Sequence, residues 1–275
     1  WIASYPKSGN TWVRLFLMAY EDPAGFDPNQ RSADQAIDTS PGFYEQAGGA
    51  DIEALSGPEV LLLRGAALVR LNRQAHTNTG GQVYLKSHSA NVTLNGLAWI
   101  PPSYTDRTLY MLRDPRDVVV SMADHLGISI DEGLAVMADK LKMLGEPDAL
   151  YVPLLSWSDH VESWLRALPY DQMAVRYEDL LADPGRWFQA VLNFFGIAFD
   201  RARLNEAMEL TSFDHLYAAE GVNGFDARSA HQARFFRDGK AGGWRDVLSA
   251  EQVARIEEDH GAVMRKCGYG EEPCP

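Results

Sequence analysis

The stretch that decides the fold is WIASYPKSGNTW, residues 1–12. Its apolar start predicts a strand over 1–6, its polar centre predicts a tight turn over 7–10, and the apolar side chains that follow at helical spacing predict a helix over about 11–20. A turn between a strand and a helix presents backbone N–H groups to an anion such as phosphate. The common phosphate loop of nucleotide hydrolases reads G-x-x-x-x-G-K-[ST], whereas this turn has one glycine, which follows its lysine. The stretch therefore predicts either an anion site of a different construction or an ordinary capped turn.

Short apolar segments alternate with longer helical patterns along the rest of the chain. Residues 21–57 are polar with short helices at most, and 220–243 are polar and rich in glycine. Asp114 before Pro115 is a typical helix start. The predicted strands are 82–86, 107–112 and 172–177, and the predicted helices are about 58–78, 131–143, 157–168, most of 184–219, and 250–266. The alternation predicts an α/β fold, a central parallel β-sheet flanked by helices, in a single domain over 1–275.

The composition limits the class of protein. With 46% hydrophobic residues among 275, the chain can bury a large core, and no apolar run approaches the roughly 18 residues of a membrane span. The formal net charge of −13 disfavours nucleic acid as a partner, so a polyanion must be held by local clusters of lysine and arginine. Only Cys267 and Cys274 occur, which favours a reducing compartment and leaves a terminal bridge between them open. We therefore expect a cytoplasmic protein, although a strand pattern that already includes Trp1 leaves room for an upstream signal or anchor.

A lysine ends the predicted strand 82–86, and a histidine follows it two residues later. Lys86 and His88 alternate with a serine along the extended chain, so their side chains point to the same side. The carboxyl ends of parallel strands form the binding crevice of such folds. A base beside a cation suits removal of a proton from an acceptor while negative charge builds on a leaving group. The alternative interpretation is a surface histidine after an edge strand.

Two further stretches carry arginines. Arg113 follows the strand 107–112 and lies where the crevice is expected, although an ion pair at a helix start, involving Arg116 and Asp117, explains the stretch equally well. The segment 235–244, FFRDGKAGGW, spaces two cations among glycines and can close over an anion. By composition alone, that segment is also typical of a solvated loop.

Together and in this order, these stretches resemble the sulfotransferases that use 3′-phosphoadenosine 5′-phosphosulfate (PAPS). YPKSGNTW is similar to that family's 5′-phosphosulfate loop, Y-P-K-[SA]-G-x-T-W, and KSH to the segment that holds its catalytic histidine. RDPRDVVVS resembles the 3′-phosphate element R-[DN]-x-[RK]-D-V-x-x-S, and RDGKAGGW resembles the C-terminal loop R-x-G-x-x-G-x-W. RYEDL at 176–180 and LTSF at 210–213 agree as well. The resemblance spans residues 1 to about 265 and implies the P-loop-nucleotide-kinase-like sulfotransferase fold. Within the family, the sequence resembles the bacterial small-molecule sulfotransferases more than the animal ones.

The resemblance implies a role for each matching residue. His88 would be the general base, and Lys7 and Lys86 would stabilise the transferring sulfuryl group and the leaving phosphate. The expected PAPS-binding residues are Lys7, Ser8, Gly9, Asn10, Thr11 and Trp12 at the 5′-phosphosulfate, Arg113, Ser121, Arg237, Asp238 and Gly239 at the 3′-phosphate, and Tyr177, Thr211 and Phe213, with Trp12, at the adenine. Sulfuryl transfer is similar to phosphoryl transfer, in which positioning and fixed cations supply most of the catalysis, so no metal is expected.

The chain departs from the family pattern in two places. The C-terminal loop of the family usually reads R-K-G, and Asp238 here replaces the lysine, which leaves open whether Lys240 compensates at the 3′-phosphate. The dimer motif of animal members, K-x-x-x-T-V-x-x-x-E, would fall on Arg245, Ser249, Ala250 and Ala254. Three of those positions lose their character, so the animal-type dimer is not expected and the oligomeric state stays open.

The acceptor is the least specified part of the reaction. We expect a hydroxyl, or alternatively an amine, of a small or natural-product-like molecule, bound by the variable segments 21–57, 89–105, 125–157 and 214–234. The aromatic side chains of these segments favour an aromatic or lipid-like acceptor; they are Phe26, Phe43, Tyr44, Trp99, Tyr104, Tyr151, Trp157, Tyr217 and Phe225. Two alternatives to a sulfotransferase are a P-loop nucleotide-kinase-like enzyme that uses ATP with Mg²⁺, and a catalytically inactive nucleotide-binding module.

Overall fold

A computed structural model describes residues 1–30, 35–49, 51–52, 56–79, 83–145, 150 and 152–270. Its strands are β1 (Ile2–Ser4), β2 (Gln35–Ile37), β3 (Tyr84–Ser87), β4 (Thr93–Leu94), β5 (Leu97–Ala98), β6 (Arg107–Leu112), β7 (Met143–Leu144), β8 (Val152–Pro153) and β9 (Asp171–Arg176). Within the described ranges, five of them form one parallel sheet in the order β2-β3-β1-β6-β9, and β4-β5 and β7-β8 form two antiparallel pairs. The expected central parallel sheet is therefore confirmed.

Helices cover both faces of this sheet. They are α1 (Asn10–Glu21), α2 (Pro41–Gly48), α3 (Gly57–Thr79), α4 (Pro115–Leu126), α5 (Ile130–Ala138), α6 (Trp157–Leu165), α7 (Tyr177–Ala182), α8 (Pro184–Phe195), α9 (Arg201–Leu210), α10 (Phe213–Asn223) and α11 (Ala250–Lys266). Neighbouring residues of a strand point to opposite faces, so Ile2 joins the core formed with α1, α8 and α9, and Ala3 joins the core formed with α3 to α6 and α11.

The parallel arrangement gathers four strand ends at one edge of the sheet. Ile2 of β1 pairs with Lys86 of β3 and with Leu109 of β6, and Leu112 at the end of β6 pairs with Arg176 at the end of β9. The segments that follow β1, β3, β6 and β9 therefore leave the sheet side by side. These are the segments that carry the predicted site.

The helix that follows β6 begins where the sequence predicts. The side chain of Asp114 caps α4 by accepting a hydrogen bond from the backbone N–H of Arg116, and Pro115 occupies the first turn. The helix is capped at its C-terminus by Gly127, which has the left-handed φ of 66° that glycine tolerates best. The predicted helix over 250–266 matches α11, in which Ser249 and Gln252 form a capping box.

Two predictions of secondary structure are wrong. The stretch 21–57 contains the edge strand β2 as well as α2, because three residues, Gln35–Ile37, pair with β3, and so short a strand leaves no alternation to read. The predicted helix over 131–143 ends at Ala138, and Met143–Leu144 instead pairs with β8, a contact that local periodicity does not reveal. The start of the predicted strand 82–86, at Gln82, lies outside the described residues.

Candidate active site

The turn between β1 and α1 is a cradle of backbone groups. Lys7 has a φ of 66°, in the left-handed region that non-glycine residues rarely adopt, and Gly9 at the N-cap has a φ of 95°. A Cβ at position 9 would lie 2.9 Å from Cδ2 of Tyr177, so a side chain there would press on that ring. A helix N-terminus leaves its first N–H groups without intrahelical acceptors, which is why such a turn can bind an anion.

Two buried polar groups beside this turn support an anionic ligand. Within the described part of the chain, the hydroxyl of Ser8 and the Nε of Arg113 have no hydrogen-bond partner. Leaving buried donors unpaired costs about 1–3 kcal/mol each, so such groups usually await a ligand or water. The side-chain NH2 group of Asn10 donates to the carbonyl of Ile2 at 2.9 Å and so ties α1 to β1, while its Oδ1 has no hydrogen-bond partner among the described residues. Thr11 is half-buried in the first turn of the same helix.

Lys7 lies within a cluster of positive charge. Burial lowers the pKa of its ammonium group to about 8, and the carboxylate of Asp124 opposes that shift. The nearby cations Arg113, Lys86 and Arg237 lower the pKa further. Four cations held this close repel one another unless an anion lies between them, so the cluster fits a ligand with several negative charges.

His88 is held by the end of β1. Its Nδ1 lies 2.9 Å from the carbonyl oxygen of Ser4 and 3.3 Å from the hydroxyl of Ser4. Because a carbonyl only accepts, Nδ1 carries the proton and donates it, which leaves Nε2 as the basic nitrogen. Burial and the neighbouring charge of Lys86 hold the pKa of His88 well below its usual value. The ring is therefore neutral near pH 7, as a general base must be.

A second histidine, which no sequence motif singles out, supports the first. His160 is fully buried, and its Nε2 donates to the carbonyl oxygen of His88 at 3.2 Å. Its Nδ1 then accepts from the hydroxyl of Tyr110, 2.9 Å away, and burial lowers its pKa to about 3. Because His160 lies 72 positions from His88, no local pattern could reveal this contact.

Arg113 joins three parts of the site. It donates from Nη1 to the carbonyl of Lys7 at 3.0 Å and from Nη2 to the carbonyl of Lys240 at 3.2 Å. Its guanidinium carbon lies 4.4 Å from the ring centroid of Tyr177. Ser121, which the sequence places with Arg113, is half-buried on α4.

Two of the residues predicted at the adenine form an aromatic pair that is joined to a third. Trp12 donates from its indole nitrogen to the carbonyl of Thr211 at 3.0 Å, and its ring meets Tyr177 edge-on with centroids 6.0 Å apart. Phe213, two residues after Thr211, begins α10 and packs so closely on Gly239, which has a φ of 59°, that a Cβ there would lie 2.3 Å from Phe213 Cδ2. This contact brings the C-terminal loop to the start of α10.

The C-terminal loop is tied down by a residue that the sequence analysis missed. Asp117 on α4 accepts from the backbone N–H of Gly242 at 2.7 Å and of Trp244 at 3.0 Å. Arg116 forms an ion pair at the helix start, but its partner, at 2.7 Å, is Asp114 rather than the expected Asp117. Within the loop, Arg237 pairs with Asp238 at 3.0 Å.

A cleft of about 300 Å³, including its part open to solvent, lies beside Lys86 and His88. Its other lining residues are Ile37, Asp38, Thr39, Leu144, Leu150 and Val152. These come from the segments 21–57 and 125–157, as predicted, but their side chains are aliphatic and polar rather than aromatic. Of the expected aromatic residues, Trp99 and Tyr44 instead pack against the buried Arg64, and Tyr151 lies outside the described residues.

The acidic residue in the cleft wall, Asp38, forms a buried ion pair with Arg64. Asp38 and Arg64, each only 2% exposed, form an ion pair at 2.6 Å, and the hydroxyl of Ser87 donates to the same carboxylate oxygen at 3.2 Å. The backbone N–H of Asp38 donates to the carbonyl of Lys86 at 3.3 Å. This network fixes the cleft wall against β3, and with it the position of the lysine that precedes His88.

The described residues contain no group of three or more His, Cys, Asp or Glu side chains that could hold a metal ion. None of the helices in the described ranges combines the length and apolar character that crossing a membrane demands. Among the described residues, Cys267 is a buried thiol with no disulfide partner, and Cys274, the other half of the bridge left open by the sequence, lies outside the described residues.

The fold and the cation cluster define an enzyme that transfers an anionic group, and comparison with known proteins identifies its family. The model of the sulfotransferase domain family matches residues 1–268. Cytosolic sulfotransferase 16 of Arabidopsis thaliana is 26% identical over 93% of this chain and 73% of its own, and sulfotransferase 1A1 of Canis lupus familiaris is 25% identical over 97% and 83%. The chain therefore belongs to the sulfotransferase family. The prediction of a PAPS-dependent sulfotransferase is confirmed, and with it that of an enzyme.

Solved structures share the fold. A retinol dehydratase in complex with retinol and PAP, adenosine 3′,5′-bisphosphate, superposes with a TM-score of 0.63 at 20% identity, covering 100% of this chain and 82% of the other. A mouse sulfotransferase complexed with PAP gives a TM-score of 0.60 at 20% identity, covering 96% and 83%. The predicted sulfotransferase fold is confirmed by these likenesses.

Proposed function

We propose that this sulfotransferase transfers the sulfuryl group of PAPS to a hydroxyl of a small, largely apolar acceptor, with His88 as the general base. The observation that carries the proposal is that Lys86 and His88 line the cleft and also border the cation cluster around Lys7. A base on the acceptor side and cations on the donor side are the arrangement that an in-line displacement needs. The chemistry that PAPS supplies when bound is an activated sulfuryl group on a 5′-phosphate.

Each part of the site has a role in this proposal. His88 takes the proton of the acceptor hydroxyl at Nε2, while the Ser4 carbonyl keeps the ring in the required tautomer. Lys7 and Lys86 stabilise the negative charge that develops on the donor side. The unpaired Ser8 hydroxyl and the N–H groups of α1 would hold the 5′-phosphosulfate. We propose that the whole of 1–275 forms one domain and that the enzyme acts in the cytoplasm, as the names of its plant relatives indicate for them.

The 3′-phosphate and the adenine would be bound by the remaining predicted residues. Arg113 would bind the 3′-phosphate through its unpaired Nε, with Arg237 nearby in the C-terminal loop. Trp12, Tyr177 and Phe213 offer ring faces and edges to a purine. Ser121, Thr211 and Gly239 are included in the proposed PAPS site because of their positions: each lies beside the arginines or aromatic rings just named, or shapes the backbone around them.

The character of the cleft favours a neutral acceptor. Four of its lining side chains are aliphatic, and the chain carries a net charge of −13, so an anionic polysaccharide is disfavoured. In solved complexes with this fold, retinol dehydratase holds retinol or androsterone together with PAP. We infer an acceptor of comparable kind for this enzyme, a hydroxyl on a mainly apolar carbon skeleton.

An acceptor screen with radiolabelled PAPS tests this inference. Apolar alcohols are expected to give the highest kcat/KM, phenols and amines lower values, and acidic saccharides no transfer above that of the His88→Ala variant. Each methylene that enters the aliphatic cleft adds about 0.8 kcal/mol, or roughly fourfold in kcat/KM, to the preference. An acidic saccharide as the best acceptor would contradict the inference.

The pH dependence of kcat/KM is expected to follow Lys7 on the alkaline side. The pKa of Lys7 is lowered to about 8, and only the ammonium form stabilises phosphosulfate, so kcat/KM falls as the pH rises through about 8. On the acid side, His88 stays neutral until the pH is well below 6.5, because its pKa lies there. Initial rates at low PAPS concentration between pH 5 and pH 10 measure the profile. A rate that rises steadily above pH 8 would contradict this role of Lys7.

Replacing Asp238 with asparagine is expected to tighten PAP binding by about two- to fivefold, because Arg237 then no longer shares its charge with an exposed carboxylate. Calorimetry with PAP and with adenosine 5′-monophosphate measures the effect, which should be confined to PAP. Asp226→Asn, at an exposed loop position, removes the same charge and serves as the control. Equal tightening in both variants, or for both nucleotides, would show a general field effect instead.

A further inference from the structure

A buried glutamate holds the start of the C-terminal loop. Glu220, on α10, is 6% exposed, and its two carboxylate oxygens accept separate hydrogen bonds from consecutive backbone N–H groups. Oε1 accepts from Phe235 at 2.7 Å, and Oε2 accepts from Phe236 at 3.1 Å. A buried carboxylate is costly unless it is paired, and charge-assisted hydrogen bonds of this kind are roughly twice as strong as neutral ones. Glu220 therefore fixes the backbone of both phenylalanines.

The fixed backbone places one ring on the catalytic lysine. The ammonium nitrogen of Lys7 lies 4.4 Å from the centroid of the Phe235 ring, within the range of a cation–π interaction. The other ring, that of Phe236, packs against Phe225 at 4.9 Å between centroids, and Phe225 also contacts Phe235 at 4.7 Å. This aromatic cluster rests on Leu15 of α1, so the Phe235 ring is positioned by a carboxylate on one side and by apolar packing on the other.

We propose that Glu220 is a positioning residue that holds Phe235 over Lys7, and that the ring helps to keep the Lys7 ammonium charged. Burial and three neighbouring cations, Arg113, Lys86 and Arg237, destabilise the ammonium, whereas the carboxylate of Asp124 and the negative face of the Phe235 ring stabilise it. The proposal rests on the proposed function only in that Lys7 must be charged to bind phosphosulfate. Its direct consequence, the charge state of Lys7, can be measured without any nucleotide.

The test is the titration of Lys7 in the nucleotide-free full chain. Acetic anhydride acetylates only the neutral amine, so the pH dependence of labelling of the Lys7 peptide, followed by mass spectrometry, gives a midpoint that reports the charge and a plateau that reports access. Phe235→Leu keeps an apolar side chain but removes the aromatic face. It is expected to move the midpoint to lower pH and to raise labelling at pH 7 by about two- to eightfold, the effect of losing a cation–π interaction on an ammonium with a pKa of about 8.

Glu220→Gln keeps one acceptor oxygen and removes the charge. It is expected to move the midpoint in the same direction, with a smaller rise in labelling of about two- to fourfold, because the loop backbone is held by weaker neutral hydrogen bonds. Phe236→Leu is the matched control for the ring, since it removes an aromatic residue from the same cluster. Glu206→Gln, at an exposed position on α9, is the matched control for the charge.

Either of two results would overturn the proposal. One is a midpoint in either Phe235→Leu or Glu220→Gln that equals that of the wild type; the other is an equal displacement in Phe236→Leu. A change in the labelling plateau without a change in the midpoint would also refute the proposal, because Phe235 would then only limit access to Lys7. If the midpoints move as expected but PAP fails to bind the wild-type protein, the proposed function fails and the positioning role stands. Since the two substitutions act at different points of the chain, one folded variant is enough to decide.

Discussion

Replacing His88 with alanine is expected to lower kcat by about 10²- to 10⁴-fold, the contribution of a positioned general base. The Ser4 carbonyl engages Nδ1, and the lowered pKa keeps the ring neutral, so Nε2 is poised to accept the acceptor proton. Binding of PAP should be nearly unchanged, because His88 lies on the acceptor side of the cation cluster. Single-turnover rates with radiolabelled PAPS and calorimetry with PAP measure the two effects.

The control for this substitution is His231→Ala, at an exposed histidine in the segment before the C-terminal loop. It should leave both quantities near their wild-type values. His88→Asn adds a stricter comparison, because the amide can still donate to the Ser4 carbonyl but offers no basic nitrogen, and it should be as slow as the alanine variant. A wild-type rate in His88→Ala would mean that another group is the base.

Replacing Lys7 with alanine is expected to weaken PAP binding by about 10- to 100-fold, the value of a hydrogen bond to a charged group, and to lower kcat by about 10²- to 10³-fold. Both quantities are expected to fall because, in the proposed site, the lysine would contact the donor in the ground state and stabilise charge as the leaving phosphate forms. This pattern separates Lys7 from His88, for which only kcat should change. The same calorimetric and single-turnover measurements apply.

The control for Lys7 is Lys266→Ala, on α11, whose exposed side chain pairs with Glu162. The exposed pair contributes little to stability, so this variant should match the wild type. Lys7→Arg keeps the charge but changes its geometry, and it should recover part of the PAP affinity and less of kcat. Unchanged affinity and rate in Lys7→Ala would remove Lys7 from the site.

The sequence predicted the parts of this protein that depend on local signals. The turn after β1, the cap at Asp114 and the helix over 250–266 were foreseen because each is specified by neighbouring residues. Parallel pairing then places the ends of β1, β3, β6 and β9 at one edge, which is why Lys7, Lys86, His88 and Arg113 come together. Their individual roles in binding and catalysis stay predictions.

Other features escaped because they depend on contacts between distant parts of the chain. The bond from His160 to His88, the clamp of Asp117 on the C-terminal loop and the hold of Glu220 on Phe235 join elements 15 to 127 positions apart. In sequence, these residues read as a core histidine, a helix-start ion pair and an unremarked helical glutamate. β2 escaped for a related reason, since only its pairing with β3 identifies three residues as a strand.

The most direct test of the central claim is calorimetry of the full chain with PAP and, separately, with ATP in the presence and absence of Mg²⁺. A site that holds the 5′-phosphosulfate at the Lys7 turn and the 3′-phosphate at Arg113 should bind PAP about 10- to 100-fold more tightly than ATP, since ATP lacks the 3′-phosphate contact. Binding of PAP should also be independent of Mg²⁺. Tighter, Mg²⁺-dependent binding of ATP would contradict this assignment of the site and favour a nucleotide-kinase-like enzyme.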